Sequence, residues 1–182
     1  MNYFVWDVYF KGEGFAYCEK MNGINDTNIV SLLTGKKLEN PLPDITAESF
    51  SRGSIGDIFG WAAGLVASEK IKKHLEGENV QFIPVKILSS DLKYYLANFL
   101  SAVECIDKKK STIEYYNSNP DYIEKIRKLV LLSEIDESLQ AFRILERPDV
   151  VLVCEKMKNQ LQRISKSAGV FTPTEKFKIG YF

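Results

Sequence analysis

The chain has 182 residues, 45% of them hydrophobic and 26% charged, so it is long enough to bury a core and far from a disordered composition. Its 24 basic and 24 acidic residues cancel, which argues against nucleic acid as a partner, because phosphate binding needs a clustered excess of Lys and Arg. The apolar run "IFGWAAGLVA" spans ten residues, half of the ~20 that a membrane helix requires, so no membrane partner is expected either.

The elements follow in chain order. Residues 3–10, "YFVWDVYF", are aromatic and β-branched and predict a strand. The start shows no basic n-region followed by an apolar signal core. The cysteines Cys18, Cys105 and Cys154 are odd in number and form no CxxC pair, so a soluble protein of the reducing cytoplasm is expected. "KGEGF" at residues 11–15 reads as a hairpin turn, and "ENPLPDITAESFSRGSIGD" at residues 39–57 as a connecting loop punctuated by Pro, Gly and Ser. Acid is concentrated early: residues 1–65 hold five basic and eight acidic side chains, leaving the remainder mildly basic.

"LVA" at residues 65–67 predicts a buried strand, with Ser68 as N-cap and Glu69 in the first turn of a helix that buries Ile71 and Leu75. Gly77 marks the exit, and a short strand runs from Phe82 to near Pro84. A single helix over Asp57–His74 ranks second, since it must carry Gly60 and Gly64 at ~1 kcal/mol each. "YYLANFLSAVECI" predicts one long strand, and "IRKLVLL" and "AFRIL" shorter ones. "VVLV" then opens another strand, followed by Cys154 and a helix with Met157, Leu161 and Ile164 at i, i+4 and i+7. Gly169 and the segment from Phe171 to Pro173 complete it.

The last unit repeats the earlier one. "LVASEKIKKHL" (65–75) matches "LVCEKMKNQL" (152–161) at an offset of 86, and "VQFIPV" matches "GVFTPT" at an offset of 89. A repeat of this kind is an architectural signal. The expected fold class is α+β: a mixed, largely antiparallel sheet with a few short helices, in two related strand–helix–strand halves. A single domain over 1–182 is expected, with residues 65–85 and 152–174 superposable in one sheet system.

The inventory of reactive groups is thin. His74 is the only histidine and falls on a polar helix face, so a zinc site is not expected. Cys154 stands where Ser68 stands in the other copy and reads as a buried cap. No G-x-S-x-G elbow or phosphate-binding loop is present. Glu104 with Asp107, or Asp44 with Asp57, are the acid pairs on offer, and solvated carboxylates are the more frequent outcome. No catalytic residue, cofactor or metal is expected. Contact is better represented: "EYYNSNPDY" (114–122) places Tyr115, Tyr116 and Tyr122 beside Asn117 and Asn119, the mixture that recognition loops use. The alternative reading has these tyrosines lying back on a sheet. Asp44 and Asp57, near Trp61, form a second candidate partner surface, although Trp61 itself reads as a core anchor.

Taken together, "LPDI", "LVASEKIKKHLEGENVQFIPV", "YYLANFLSAVECIDKKKS", "FRILERPDVVLVCEKMKNQL" and "GVFTP" resemble a family of bacterial immunity proteins from polymorphic-toxin systems. Asp107, Ser111, Phe142 and Arg143 match positions of that family's pattern, and Cys154 stands where the pattern has a serine. The resemblance implies a cytosolic, non-catalytic protein that binds and neutralises a cognate toxin. The other readings are a small hydrolase or transferase working through Asp107 or Cys154, and a structural or adaptor protein that homodimerises through a sheet edge.

Overall fold

A computed structural model describes residues 2–7, 16–39, 42–51, 54–61, 64–88 and 90–179. The turn expected at 11–15 and the end of the first expected strand lie outside these residues. The elements are β1 (Tyr3–Asp7), β2 (Tyr17–Asn22), α1 (Asp26–Leu33), β3 (Ile45–Ser51), β4 (Ile58–Trp61), β5 (Gly64–Ser68), α2 (Glu69–Leu75), β6 (Val80–Ile87), β7 (Tyr94–Phe99), β8 (Ala102–Val103), β9 (Thr112–Tyr116), β10 (Asn119–Lys128), β11 (Ala141–Ile144), β12 (Arg147–Cys154), α3 (Glu155–Ile164) and β13 (Val170–Pro173). A 3-10 turn follows at Thr174–Lys176.

The class is α+β, with the strands divided into three systems. Six close a barrel in the order β2-β3-β6-β7-β5-β4, five form a sheet in the order β13-β1-β12-β11-β8, and β9 with β10 make a separate hairpin. Most pairs are antiparallel; β2–β4, β3–β6 and β8–β11 are parallel. One apolar cluster fills the barrel, with Phe59, Val66, Ile83 and Leu96 in it. A second lies between the barrel wall, the five-stranded sheet and the helices, and includes Leu65, Ala67, Phe99, Phe142 and Leu152. Successive residues of β5 thus enter different cores, which is why that strand is apolar without alternation.

Both repeated segments run strand–helix–strand, and Ser68 and Cys154 cap their helices alike. Ser68 Oγ accepts from Ile71 N, and Cys154 Sγ accepts from Met157 N. The three-residue change of offset falls in the helix, since α2 has seven residues and α3 has ten. The expectation of one shared sheet system is corrected, because β5 and β6 belong to the barrel while β12 and β13 belong to the five-stranded sheet. A strand is inserted within each unit. β7 lies between β5 and β6, pairing Tyr95 with Ala67 and with Pro84. β1 lies between β12 and β13, pairing Phe4 with Val153 and with Pro173. The outer neighbours keep step as well: Phe59 faces Val66, and Phe142 faces Leu152.

Three further expectations are corrected. The segment 39–57 is not all loop, because Ile45–Ser51 is a barrel strand that buries Ile45 and Ala47. The long strand expected at 94–106 breaks at Leu100–Ser101 into β7 and β8, which serve different sheets. "EYYNSNPDY" is the end of a hairpin rather than a loop.

Candidate partner-binding site

The hairpin turns at Asn117–Ser118, and β10 is irregular beside the turn. The register passes from Asn119↔Tyr116 to Ile123↔Tyr115, so β10 advances four residues while β9 advances one. Pro120, which has no amide to donate to a ladder, falls within this bulge. Asn119 Oδ1 accepts from the Asp121 N–H at 3.2 Å inside it.

The bulge and the strand alternation separate the tyrosines. Tyr115 packs with Ile113 against the apolar cluster beneath the sheet. Tyr116 and Tyr122 remain 43% and 42% exposed. Glu114, on the outer face, accepts from Lys125 Nζ at 2.9 Å and Arg127 Nε at 2.8 Å, and these bonds hold its carboxyl below the usual range.

Helix α1 approaches the hairpin end and forms the other wall of a groove of about 560 Å³, to which Val30, Leu33 and Thr34 contribute from the helix and Tyr116, Asn119 and Tyr122 from the hairpin. Val30 is 60% exposed there. Arg147 closes the floor: its guanidinium donates to Ile123 O at 2.6 Å and to Asp149 Oδ2 at 3.1 Å, fixing the hairpin end to β12. The sequence reading missed α1. Its signals were Asn25, whose side chain accepts from Asn28 N at 2.8 Å as an N-cap, and Gly35 at φ +67° just past the last turn.

The structure therefore brings Tyr116, Asn119 and Tyr122 together, with Asn117 exposed in the adjoining turn. Tyr115 faces the core. Asp44 and Asp57 do not line the groove. Asp44 is exposed just ahead of β3. Asp57 stands where the ends of α2 and α3 meet: Ser68 Oγ donates to Oδ1 at 2.8 Å, Ser165 Oγ donates to Oδ2 at 2.5 Å, and Lys70 Nζ lies 3.6 Å away. Burial pushes its pKa up, but the Ser165 and Ser68 hydroxyls and the Lys70 charge outweigh burial and hold it below the usual carboxylate range.

The acid pairs are taken up elsewhere. Glu104 bonds Lys108 at 3.2 Å, and Asp107 pairs with Lys110 at 3.0 Å. His74 is exposed in the last turn of α2. Cys18, Cys105 and Cys154 are all buried, and burial, with the Glu146 charge adding to it, pushes the Cys105 thiol up to about 12. Among the described residues no cluster of three or more His, Cys, Asp or Glu could hold a metal, and no helix is long and apolar enough to cross a membrane.

The model of the Immunity protein family (Imm11) matches residues 35–176. The chain belongs to that family. No curated protein matches it significantly. In this Imm11 chain the hairpin wall of the groove lies inside the matched span, while α1 lies ahead of it. The four residues noted in the sequence as family-like are structural here. Asp107 accepts the Lys109 and Lys110 N–H bonds on Oδ1, and Ser111 Oγ exchanges bonds with Val130 N at 2.9 Å and Val130 O at 3.1 Å, so the pair pins the turn before β9. Phe142 and Arg143 are 0% and 1% exposed. The Arg143 guanidinium donates to Phe99 O at 3.2 Å and Pro148 O at 2.6 Å, tying β11 to the end of β7.

Proposed function

We propose that this Imm11 chain neutralises a cognate protein toxin of a polymorphic-toxin system in the cytoplasm, by binding it rather than by catalysis, through the groove between α1 and the β9–β10 hairpin. The observation that carries the reading is the convergence of exposed Tyr116, Tyr122 and Val30 on one concave surface, in a chain of an immunity protein family. Aromatic anchors in a pocket supply most of the energy of many interfaces. Asn117 and Asn119 provide adaptable hydrogen bonds beside them. Asp44 and Asp57 do not line this groove, so the reading rests no binding energy on them.

Titration calorimetry with the toxin tests this. Tyr116→Ala combined with Tyr122→Ala should weaken binding at least tenfold, about 1.4 kcal/mol, with unchanged circular dichroism. Tyr115→Ala should lower stability instead, because that ring packs on the core. Unchanged affinity in the folded double variant would remove the groove from the interface.

The finer reading of the fold goes with this one. We take the two repeated units as related halves of a single domain, because β4-β5-β7-β6 and β11-β12-β1-β13 follow the same order with the same pairing of equivalent residues. The backbone bonds outside the ladders agree: Ser68 N donates to Asp57 O and Cys154 N to Gln140 O, each at 2.8 Å. Deleting either unit alone should leave a chain that does not unfold cooperatively in urea.

A further inference from the structure

One acid in the fold is buried without the hydrogen bonds that would compensate it. Glu146 stands in the turn between β11 and β12 and is 8% exposed, beside the fully buried Cys105. Both of its carboxylate oxygens are closed to solvent, and no donor among the described residues bonds either of them. The nearest cation is Lys108, whose Nζ lies 3.7 Å from Glu146 Oε1, an ion-pair distance too long for a hydrogen bond. Lys108 bonds instead to Glu104 Oε1 at 3.2 Å. A carboxylate taken out of water and left without donors destabilises a fold, and a distant ammonium offsets only part of that.

The Lys108 ammonium thus marks a cation position between two carboxylates, one exposed and one buried, and fills it loosely. Its side chain is 51% exposed and that of Glu104 62%, so the bond between them is a surface contact of small worth. Among the described residues no group of His, Cys, Asp or Glu here could hold a metal ion, so a better occupant must bring its own N–H donors. A guanidinium does: its planar fork carries five donors and can bond both oxygens of one carboxylate while reaching a second. The position also adjoins the groove. Ile123, which lines the groove, donates its N–H to Glu146 O at 3.3 Å, and Arg147 follows in the floor. Leu145, in the same turn as Glu146, is 49% exposed. We propose that an arginine side chain of the toxin displaces Lys108 and pairs with Glu146 and Glu104 at the border of the groove. The proposal rests on the toxin-binding reading and adds the chemistry of one contact. The buried carboxylate gains its donors only in the complex, so it favours association at the expense of the free chain.

Titration calorimetry of two variants against the toxin, with urea unfolding of each free chain, tests this. Glu146→Gln should weaken toxin binding at least tenfold without lowering the urea midpoint of the free chain. Lys108→Met should do the reverse. It strips Glu146 of its cation and lowers the urea midpoint, yet it removes the side chain that the arginine displaces and should tighten binding at least about threefold. A Glu146–Lys108 pair with a structural role alone would move stability and leave affinity unchanged in both variants, which overturns the proposal. Weaker toxin binding by Lys108→Met also overturns it. Alanine replacement of the toxin's arginines, one at a time, should find one whose loss costs affinity toward the wild type and not toward Glu146→Gln; finding none overturns the arginine contact. The groove variants report on the proposed function separately. Binding that survives Tyr116→Ala with Tyr122→Ala but fails in Glu146→Gln keeps the arginine contact and removes the groove, and the converse keeps the groove and removes the arginine.

Discussion

Replacing Asp57 by Asn keeps the shape of the side chain and removes its charge. In the wild type the carboxylate receives one hydroxyl from the N-cap of α2 and another from the residue that ends α3, with its side chain 25% exposed. A hydrogen bond to a charged group contributes about 1.5–3 kcal/mol, and partial exposure places these two at the lower end. An Asn amide can accept only one of the hydroxyls on its oxygen and must turn its NH2 toward the other. The net loss should be about 2 kcal/mol, which lowers Tm by about 4–8 °C in a chain of this size. The pH dependence is more telling than the magnitude. The Asp57 pKa is lowered from 3.8 on folding, so the stabilisation is fully present above the unfolded value and is lost as pH falls through the folded one. Urea unfolding of the two proteins should therefore show a gap at neutral pH that closes in acid. A neutral-pH gap under about 0.5 kcal/mol, or one that stays constant into acid, would refute the account. Toxin affinity lost by a variant that is still folded would instead place Asp57 in the interface.

Arg143→Met should cost about 2–4 kcal/mol in urea unfolding, and Arg143→Lys should not recover it, because an ammonium cannot reach Phe99 O and Pro148 O in the geometry of the guanidinium fork. Gly169→Ala should destabilise by at least about 2 kcal/mol and shift tryptophan emission. Gly169 sits at φ +102°, and an added Cβ would lie 2.5 Å from Trp6 Nε1, which donates to Ala168 O. A thiol reagent at mildly alkaline pH should find no reactive group in the native protein and three after unfolding, because Cys18, Cys105 and Cys154 are all buried. Rapid labelling of one thiol in the folded chain would contradict that.

The repeat was legible because its determinants are local. A capping residue, a four-residue apolar spacing and a Phe-Pro echo can each be read within a few positions, and all of them recur in the structure as caps, buried helix faces and matched strand pairs. What could not be read locally was which sheet each unit joins. β1 and β7 play the same part although one precedes both units and the other follows its own, and nothing in either sequence states its distant partners. β3 was hidden by the Pro, Gly and Ser around it, and its Ile45 and Ala47 alternate over too few residues to stand out. The tyrosine segment was recognised as a contact candidate, but its hairpin geometry was not. Tyr115 and Tyr116 are indistinguishable in composition, and only the strand alternation sends one to the core and leaves the other exposed. The helical wall carried a cap signature that was overlooked because Val30 and Leu33 are too few to make a convincing stripe.

The position of β1 has a consequence for biosynthesis. β1 is flanked in its sheet by β12 and β13, which are synthesised only after all the barrel strands. Elongation runs at about 5–20 residues per second, so the strand "YFVWD" waits on the order of ten seconds for its partners. The barrel strands are complete well before then. Assembly should accordingly proceed in two stages, with the barrel able to form first and the five-stranded sheet closing only once β12 and β13 have been made. During that interval an aromatic strand with two open edges is exposed to chaperones and to neighbouring nascent chains. A nascent chain paused before β12 should expose the Tyr3–Asp7 strand to protease, while the barrel strands are already protected.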